Sequence, residues 1–364
     1  MRQRLGVSTS LSNHVALVIG QLTAGGAEGQ LALVARSLLR QGQWRPFVYC
    51  ASAESEPFGS ELERDGLSLR VFDGSPLARV AGLRRAMLQD GIHVIHSWLF
   101  IGNTYAWLAN RGRRPLITSA RNCKRQGRVH DTANQFAFRA SRHIVANSHQ
   151  VKHYIETTYR APSDRIRVIH NGIDVARFRR AEAPPSPPLI LGIGRLVPQK
   201  DPLLFVRAAA ELARQEPTVR FAFLGEGPLR GQIAEAIAAN GLEGRFSLPG
   251  ETRDVPSVLR QATILWLTSA WEGLPNVVLE ALASAVPVVA ADVGGTRELL
   301  TSGVEGELVK AGDTAAFVRH SLALLRDPSS HAAFAARARA RSLEFSTDRM
   351  VQSMIDLYDE SVSA

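Results

Sequence analysis

The run from residue 263 to residue 291 constrains the fold more than any other part of the sequence. Residues 263–268 are typical of a strand, residues 276–285 of a helix and residues 286–291 of a second strand, with a loop between the first two. A strand, loop, helix and strand in this order place the loop and the helix N-terminus at the carboxyl edge of a parallel sheet. Backbone N–H groups at such an edge attract anions, and phosphates in particular. The sequence therefore predicts an anion-binding site at this edge.

Two glutamates stand in this run with seven residues between them. Glu272 lies in the predicted loop and Glu280 inside the predicted helix, so we expect them to face a ligand at two depths rather than to pair with each other. A carboxylate only accepts hydrogen bonds, which suits it to the hydroxyl groups of a ligand. The alternative for Glu280 is a solvated glutamate on a helix, which would not explain the apolar residues around it.

Strand-like and helix-like runs alternate along most of the chain, which predicts an α/β fold with doubly wound parallel sheets. A chain of 364 residues is long enough for two such domains. Residues 181–188 contain four prolines and are typical of a semi-rigid linker. We therefore predict a flexible N-terminus at 1–13, a first Rossmann-like domain at 14–180, the linker at 181–188, a second Rossmann-like domain at 189–345 and a C-terminal helix at 346–364.

The segment at 269–280 resembles the E-x7-E signature of retaining, nucleotide-sugar-dependent glycosyltransferases of family 4, which have the GT-B fold. The resemblance implies that the two domains face each other across a cleft and that the last helix crosses back to the first domain. It covers nearly all of the chain, because further segments match the family in order, at residues 25–28, 168–178, 192–200, 224–230 and 292–298.

The resemblance implies a hexosyltransferase-type enzyme that moves a sugar from a nucleotide diphosphate sugar to a sugar or lipid-linked acceptor. A UDP-sugar is favoured over GDP-mannose as the donor, and the process is polysaccharide or glycolipid assembly. Two alternatives stay open. The first is a nucleotide-sugar epimerase or sugar phosphorylase of the same fold, and the second is a non-catalytic protein that binds sugar nucleotides.

The resemblance also assigns roles to single residues. Arg195 and Lys200 are expected to contact the diphosphate, Glu272 the transferred sugar, and Glu280 the ribose hydroxyls. Cations suit the first role because the leaving diphosphate gains charge in the transition state. Taken without the other motifs, the two cations would be exposed basic residues on a loop. Further donor-binding residues are implied, namely Gly25 and Gly26 in the first domain and Gly194, Gly273, Leu274, Pro275, Asn276 and Val277 in the second.

One position departs from the common family pattern. Many members carry a histidine after the strand that matches residues 116–120, and there it contacts the donor sugar. This chain has Arg121 and then Asn122, which puts the usual histidine role in doubt and makes Arg121 a candidate catalytic residue. His96, after another predicted strand, is a candidate for the acceptor side, as is Asn122. A buried structural histidine is an equally good interpretation of His96.

The reaction is expected to need neither a metal ion nor another cofactor. The Asp-x-Asp motif that holds a metal-bound nucleotide in the other main glycosyltransferase fold does not occur in the sequence, and Cys50 and Cys123 form no metal-ligand pattern. For a retaining enzyme of this fold, the acceptor hydroxyl attacks from the side that the phosphate leaves. A phosphate oxygen takes the proton, and no protein nucleophile is required.

Positive charge is concentrated in the first half of the chain. Residues 1–180 carry 26 Lys and Arg against 12 Asp and Glu, whereas residues 181–364 carry 17 against 22. This predicts an anionic partner. No nucleic-acid motif is present. An anionic membrane fits better, because the family often acts on lipid-linked acceptors, and a solvated Arg-rich surface is the alternative.

No run approaches the ~18 apolar residues of a membrane span, and no signal peptide is recognisable. We therefore expect a cytoplasmic protein, peripheral on the inner face of the plasma membrane.

Overall fold

A computed structural model describes residues 13–123, 127–178 and 186–363. The chain divides into two compact units. Unit 1 comprises the chain up to Gly172 together with Thr347–Ala364, and unit 2 comprises Ile173–Ser346. Each unit is built on one parallel sheet with helices between its strands, as the alternating pattern of the sequence predicts.

The sheet of unit 1 has seven strands, and all of their pairings are parallel. The strands are β1 (Asn13–Ile19), β2 (Trp44–Cys50), β3 (Ser68–Val71), β4 (Val94–Trp98), β5 (Leu116–Ala120), β6 (His143–Ala146) and β7 (Ile166–Val168). Their order is β3-β2-β1-β4-β5-β6-β7, so the direction of winding reverses between β1 and β4.

Six helices connect these strands, and local signals mark their ends. Ser75 caps the third helix by accepting from the N–H of Ala78 at 3.3 Å, and Pro76 occupies its first turn. Gly42 ends the first helix at a φ of 74°, a left-handed conformation that favours glycine. The helices are α1 (Gly26–Gln41), α2 (Phe58–Arg64), α3 (Pro76–Gln89), α4 (Leu99–Asn110), α5 (Arg128–Ala140) and α6 (His149–Tyr159).

The sheet of unit 2 has six parallel strands. They are β8 (Leu189–Ile193), β9 (Arg220–Leu224), β10 (Phe246–Gly250), β11 (Ile264–Leu267), β12 (Val288–Ala291) and β13 (Gly306–Val309). The order is β10-β9-β8-β11-β12-β13, so the winding reverses between β8 and β11.

The helices of unit 2 also begin at recognisable caps. Asp201 accepts from the N–H of Leu204 at 3.0 Å, and Asp313 from that of Ala316 at 2.9 Å. The helix predicted at 276–285 ends two residues early, at Ala283. The helices are α7 (Pro202–Gln215), α8 (Arg230–Ala239), α9 (Val255–Leu259), α10 (Asn276–Ala283), α11 (Thr296–Leu299), α12 (Thr314–Arg326) and α13 (Pro328–Ser342).

The last helix, α14 (Thr347–Ser363), belongs to unit 1. Its buried residues Val351, Met354, Ile355 and Tyr358 recur at helical spacing and form one apolar stripe. This stripe packs with α1 against one face of the unit 1 sheet, while α3 and α4 pack against the other face. The sequence places this helix in the same unit by resemblance to the family.

The boundary between the units differs from the predicted one. The sequence puts it at the proline-rich residues 181–188, of which only 186–188 lie in the described part of the chain, whereas the unit changes at Ile173. Ile173 donates its N–H to the carbonyl of Phe345 at 2.8 Å, and its side chain and that of Phe178 are buried in the core of unit 2. These contacts attach residues 173–178 to unit 2, which a search for prolines does not detect.

Parallel α/β sheets bind ligands outside the carboxyl ends of strands, where the winding reverses. In unit 2 this place lies between the loops that follow β8 and β11, and in unit 1 between those that follow β1 and β4. Among the described residues, no helix is both long and apolar enough to cross a membrane.

Candidate active site

The loops after β8 and β11 are joined directly to each other in unit 2. The Thr268 hydroxyl donates to the carbonyl of Lys200 at 2.9 Å, and the N–H of Ala270 donates to the carbonyl of Gln199 at 2.8 Å. The Gln199 amide in turn donates to the carbonyl of Trp271 at 3.1 Å. These bonds hold the segment that carries Lys200 against the segment that carries the first glutamate of the E-x7-E motif.

Lys200 and Glu272 form an ion pair at this junction. The Lys200 ammonium lies 2.5 Å from Oε1 of Glu272, and the two side chains are 17% and 7% exposed. Oε1 of Glu272 also accepts from the Ser269 hydroxyl at 2.7 Å. A buried carboxylate with two donors has a fixed orientation. The sequence predicts ligand contacts for both charged residues but does not predict that they contact each other.

Arg195 follows Gly194 at the end of β8 and is exposed. Within the described ranges, its side chain makes no hydrogen bond or ion pair. A free guanidinium at the carboxyl edge of the sheet offers a planar set of donors to an anion.

At two positions of this site, neighbouring atoms explain why the residue is a glycine. A Cβ on Gly194 would lie 3.1 Å from Cγ and Cδ of Lys200, so the glycine gives room to the lysine stem as well as to a ligand. Gly294 has a φ of 56°, and a Cβ there would overlap the carbonyl oxygen of Glu272. The next residue, Gly295, donates its N–H to the carbonyl of Gly273 at 2.7 Å. The loop after β12 therefore supports the Glu272 loop from behind.

Helix α10 begins directly after this loop, and the residue at its N-cap position, Pro275, has no side-chain acceptor for the N–H groups of the first turn. The side chains of Leu274 and Val277 are buried in the core of unit 2, and Pro275 precedes the first helical residue, Asn276. Leu274 and Val277 can therefore meet a ligand through their backbone N–H groups rather than their side chains, whereas Pro275 has no N–H group to donate. Such N–H groups at a helix N-terminus carry partial positive charge. Contact of these residues with a donor stays a prediction.

Glu280 lies inside α10 and is mostly buried. Its carboxylate has no hydrogen-bond partner in the described part of the chain. Burial raises the pKa of this carboxyl to about 7, and the nearby charge of Arg177 lowers it by a smaller amount. Glu280 and Glu272 make no hydrogen bond with each other there. A partly buried carboxylate without a protein donor is suited to ligand hydroxyl groups.

Arg121 directly follows β5 and is only 6% exposed. Its guanidinium stacks on the ring of Trp98 at 3.7 Å and donates to Oδ1 of Asn171 at 2.7 Å. Nε and Nη2 are buried without a partner in the described residues, and burial lowers the pKa of this arginine to about 9. Arg121 thus lies in the interior of unit 1. A contact with the donor sugar, and a role for the adjacent Asn122, stay predictions.

His96 is fully buried in β4, and both of its ring nitrogens are hydrogen-bonded. One lies 2.7 Å from the Tyr358 hydroxyl and the other 2.7 Å from the Ser119 hydroxyl. Burial and, to a lesser extent, the charge of Arg121 lower the pKa of His96 to about 3, so the ring is neutral. The structure favours the structural interpretation of this histidine over the acceptor-side role.

Gly25 and Gly26 stand at the start of α1, after β1. A Cβ on Gly25 would overlap the carboxylate of Glu28, which is buried in the first turn of the same helix. A side chain at this position would therefore displace the Glu28 carboxylate from its place in the first turn. Neither Glu28 nor Ser269 was given a role from the sequence, although both lie within the segments that match the family.

Within the described ranges, no group of three or more His, Cys, Asp or Glu side chains is arranged to hold a metal ion.

Two family models match consecutive parts of the chain. The model described as Glycosyltransferase Family 4 matches residues 24–177, and the one described as Glycosyl transferases group 1 matches residues 175–341. Curated relatives include a D-inositol 3-phosphate glycosyltransferase of Salinispora tropica, 29% identical over 87% of this chain and 73% of its own length. Another protein of that name, from Frankia alni, is 28% identical over 98% of this chain and 96% of its own length.

Solved structures agree with the fold. Anabaena Alr3699/HepE in complex with UDP-glucose superposes with a TM-score of 0.83 at 22% identity, covering 95% of this chain and 99% of that chain. The apo form of the lipopolysaccharide outer core galactosyltransferase WaaB gives a TM-score of 0.72 at 17% identity, covering 94% and 98%. The chain belongs to family 4 of the glycosyltransferases and has the GT-B fold.

Proposed function

We propose that unit 2 binds a nucleotide diphosphate sugar, preferably a UDP-sugar, and that the enzyme transfers its sugar with retention of configuration. The observation that carries this proposal is the charge arrangement at one sheet edge. Arg195 follows β8 and Glu280 lies in α10, and neither side chain has a hydrogen-bond partner among the described residues. The Lys200–Glu272 pair joins the loop after β8 to the loop that leads into α10. A diphosphate needs the cations and the N–H groups, and a ribose needs the carboxylate.

Lys200 is expected to change partner when the donor binds. In the free protein it neutralises Glu272, at 2.5 Å. A diphosphate carries more negative charge than one carboxylate, so the ammonium moves toward the phosphates and Glu272 becomes available to a hydroxyl of the donor sugar. Ser269 continues to hold Oε1 of Glu272 during this exchange. The ion pair thus keeps both groups in place before the donor arrives.

The chemical step breaks the bond between the anomeric carbon and the distal phosphate oxygen. The acceptor hydroxyl oxygen bonds to the same face of that carbon, and its proton passes to a phosphate oxygen of the departing nucleotide diphosphate. Arg195, Lys200 and the N–H groups of α10 stabilise the charge that grows on the diphosphate, so no metal ion is needed. Each such interaction lowers the barrier by about 2–4 kcal/mol.

We propose the donor and the acceptor as chemical classes rather than as single compounds. Complexes of HepE with UDP and with UDP-glucose support a uridine nucleotide. The relatives' name, D-inositol 3-phosphate glycosyltransferase, adds a phosphorylated polyol to the sugar and lipid-linked acceptors of polysaccharide or glycolipid assembly. We further propose that the enzyme is cytoplasmic and binds the inner face of the plasma membrane. Unit 1, with 24 Lys and Arg against 15 Asp and Glu, carries the excess positive charge, whereas unit 2 has 19 of each.

Acceptor-dependent release of nucleotide diphosphate tests the proposal. Wild-type protein is incubated with UDP-glucose, UDP-N-acetylglucosamine, UDP-galactose or GDP-mannose, with and without an acceptor panel. We expect release only with an acceptor, and a roughly 30- to 1000-fold loss in Arg195→Ala and Lys200→Ala. Arg207→Ala in α7 is the matched control and should keep full activity.

Three outcomes would contradict the proposal. Interconversion of UDP-sugars without release would identify an epimerase. Release that depends on inorganic phosphate rather than on an acceptor would identify a phosphorylase. Tight nucleotide binding without turnover on any acceptor of the panel would support a non-catalytic binding protein.

A further inference from the structure

Exposed apolar side chains are concentrated on three adjacent helices of unit 1. Helix α4 packs against both α3 and α5. Among the described residues, twelve large hydrophobic side chains are exposed, and six of them belong to these three helices, which indicates a contact surface. They are Leu77 at 83% exposure, Leu88 at 51%, Ile101 at 38%, Leu108 at 42%, Val129 at 81% and Phe136 at 49%.

Part of this surface is a groove of about 390 Å³ between α3 and α4. We call it the α3–α4 groove. Its lining contains both apolar and basic side chains, and its most exposed apolar member, Leu77, stands in the first turn of α3. The residues that matter here are Leu77, Leu88 and Leu108 together with Arg84, Arg85 and Arg111.

The three arginines of the groove are available to an external anion. Within the described ranges, Arg84, Arg85 and Arg111 make no side-chain hydrogen bond or ion pair. Helices α3 and α4 contain no Asp or Glu. The acidic residue of α5, Asp131, accepts from the Tyr159 hydroxyl at 2.9 Å. The groove therefore combines unpaired positive charge with exposed apolar side chains.

The surface coincides only in part with the one that the sequence indicates, because Arg111 belongs to both. Sequence clusters of basic residues point to positions 111–114 and 121–128. Arg114 instead donates to the carbonyls of Ile92 and Met87, and Arg121 is buried. Residues 124–126 lie outside the described part of the chain. Arg84 and Arg85 do not stand out in the sequence and become significant only because α3 places them beside Leu77 and Leu88.

We propose that the α3–α4 groove docks unit 1 on an anionic membrane surface. The leucines enter the boundary between headgroups and acyl chains, and the arginines bind lipid phosphates, as in other interfacial helices. Charge complementarity favours this occupant, since a protein partner would have to bury these arginines against its own carboxylates. Docking through this groove rests on the membrane association proposed above and does not depend on which acceptor the enzyme uses.

Flotation with acceptor-free vesicles tests the docking surface. Full-length protein is mixed with vesicles of phosphatidylcholine alone or with 30% phosphatidylglycerol added, on the order of the anionic content of natural inner leaflets. We expect binding only to the anionic vesicles, and weaker binding at high salt. Arg84→Gln with Arg85→Gln should weaken it roughly thirtyfold, and Leu77→Asn with Leu88→Asn on the order of tenfold.

Matched variants distinguish membrane binding through the groove from binding through the overall positive charge of the protein. Arg40→Gln with Arg64→Gln removes the same charge from α1 and α2, and should bind like the wild type. Leu343→Ser changes an exposed leucine of unit 2 and should have no effect. All these positions are at the surface, so thermal melts should be similar and unfolding would be detected directly.

The proposal is overturned if wild-type protein does not float with anionic vesicles at low salt, or if the two arginine pairs weaken binding equally. It is also overturned if the protein is a dimer that Leu77→Asn with Leu88→Asn converts to monomers, because the groove would then be an interface between two copies. Acceptor-dependent release of UDP, measured in the same variants without vesicles, reports separately on the proposed function.

Discussion

Replacing Glu280 with glutamine should change stability and donor binding in opposite directions. Burial raises the pKa of Glu280 from 4.5 to about 7. Between these two values the folded protein keeps a proton that the unfolded chain has lost. The wild-type protein therefore loses stability as pH rises through this range, and above it the folded state carries the full cost of a buried carboxylate. Glutamine fills the same space without a charge.

The size of the effect follows from the shift in pKa. A difference of 2.5 between 4.5 and about 7 corresponds to roughly 3 kcal/mol at most. Partial exposure reduces it, so we expect Glu280→Gln to be about 1–3 kcal/mol more stable than the wild type at pH 8. Near pH 4.5 the two proteins should be almost equally stable. Donor binding should weaken by about 1–2 kcal/mol at pH 8, because hydrogen bonds to a charged acceptor are stronger than those to an amide.

Thermal melts at pH 5 and pH 8 measure the first effect, and UDP titration at pH 8 measures the second. Each kcal/mol should raise the melting temperature by about 2–4 °C. Glu235→Gln, in the exposed part of α8, is the control and should change neither quantity. If Glu280→Gln changes the melting temperature equally at pH 5 and pH 8, burial of the carboxylate is not the cause of its effect.

Three further predictions concern the same sheet edge. Activity should be largely retained in excess EDTA, and a complete loss that Mg²⁺ or Mn²⁺ restores would contradict the role given to the cations. Gly294→Ala should lower kcat at least tenfold, because its Cβ overlaps the Glu272 carbonyl, whereas Gly312→Ala has open space at a similar φ and should pay only about 1–2 kcal/mol of stability. Ser269→Ala should lower kcat about tenfold with KM nearly unchanged, since it removes one of the two donors that hold Oε1 of Glu272; an unchanged kcat would exclude this positioning role.

Much of the fold could be predicted from the sequence because it depends on local patterns. Alternating strand and helix signals identify both parallel sheets, and the strands predicted at 263–268 and 286–291 contain β11 and β12. Strand β7 has only three residues, which carry too little pattern to be predicted from the sequence. The C-terminal helix could be assigned to unit 1 only by resemblance, since its apolar stripe shows that it packs but not on which unit.

Contacts between distant residues explain what the sequence could not predict. Lys200 and Glu272 are 72 residues apart in sequence, and His96 is covered by Tyr358, which is 262 residues away. In the sequence, a histidine or an arginine that follows a predicted strand is a candidate for the active site. Only the packed neighbours reveal that His96 has both ring nitrogens occupied and that Arg121 is buried, whereas Arg195 is exposed.

Comparing the affinities of UDP and uridine tests the central claim most directly. If Arg195 binds the diphosphate and Glu280 the ribose, Arg195→Ala should weaken UDP on the order of tenfold or more and leave uridine unchanged. Glu280→Gln should weaken both ligands by the same factor. Calorimetric titration of the wild type, the two variants and the Arg207→Ala control supplies all the constants. If Arg195→Ala weakens both ligands equally, or neither, the diphosphate site is not where this account places it.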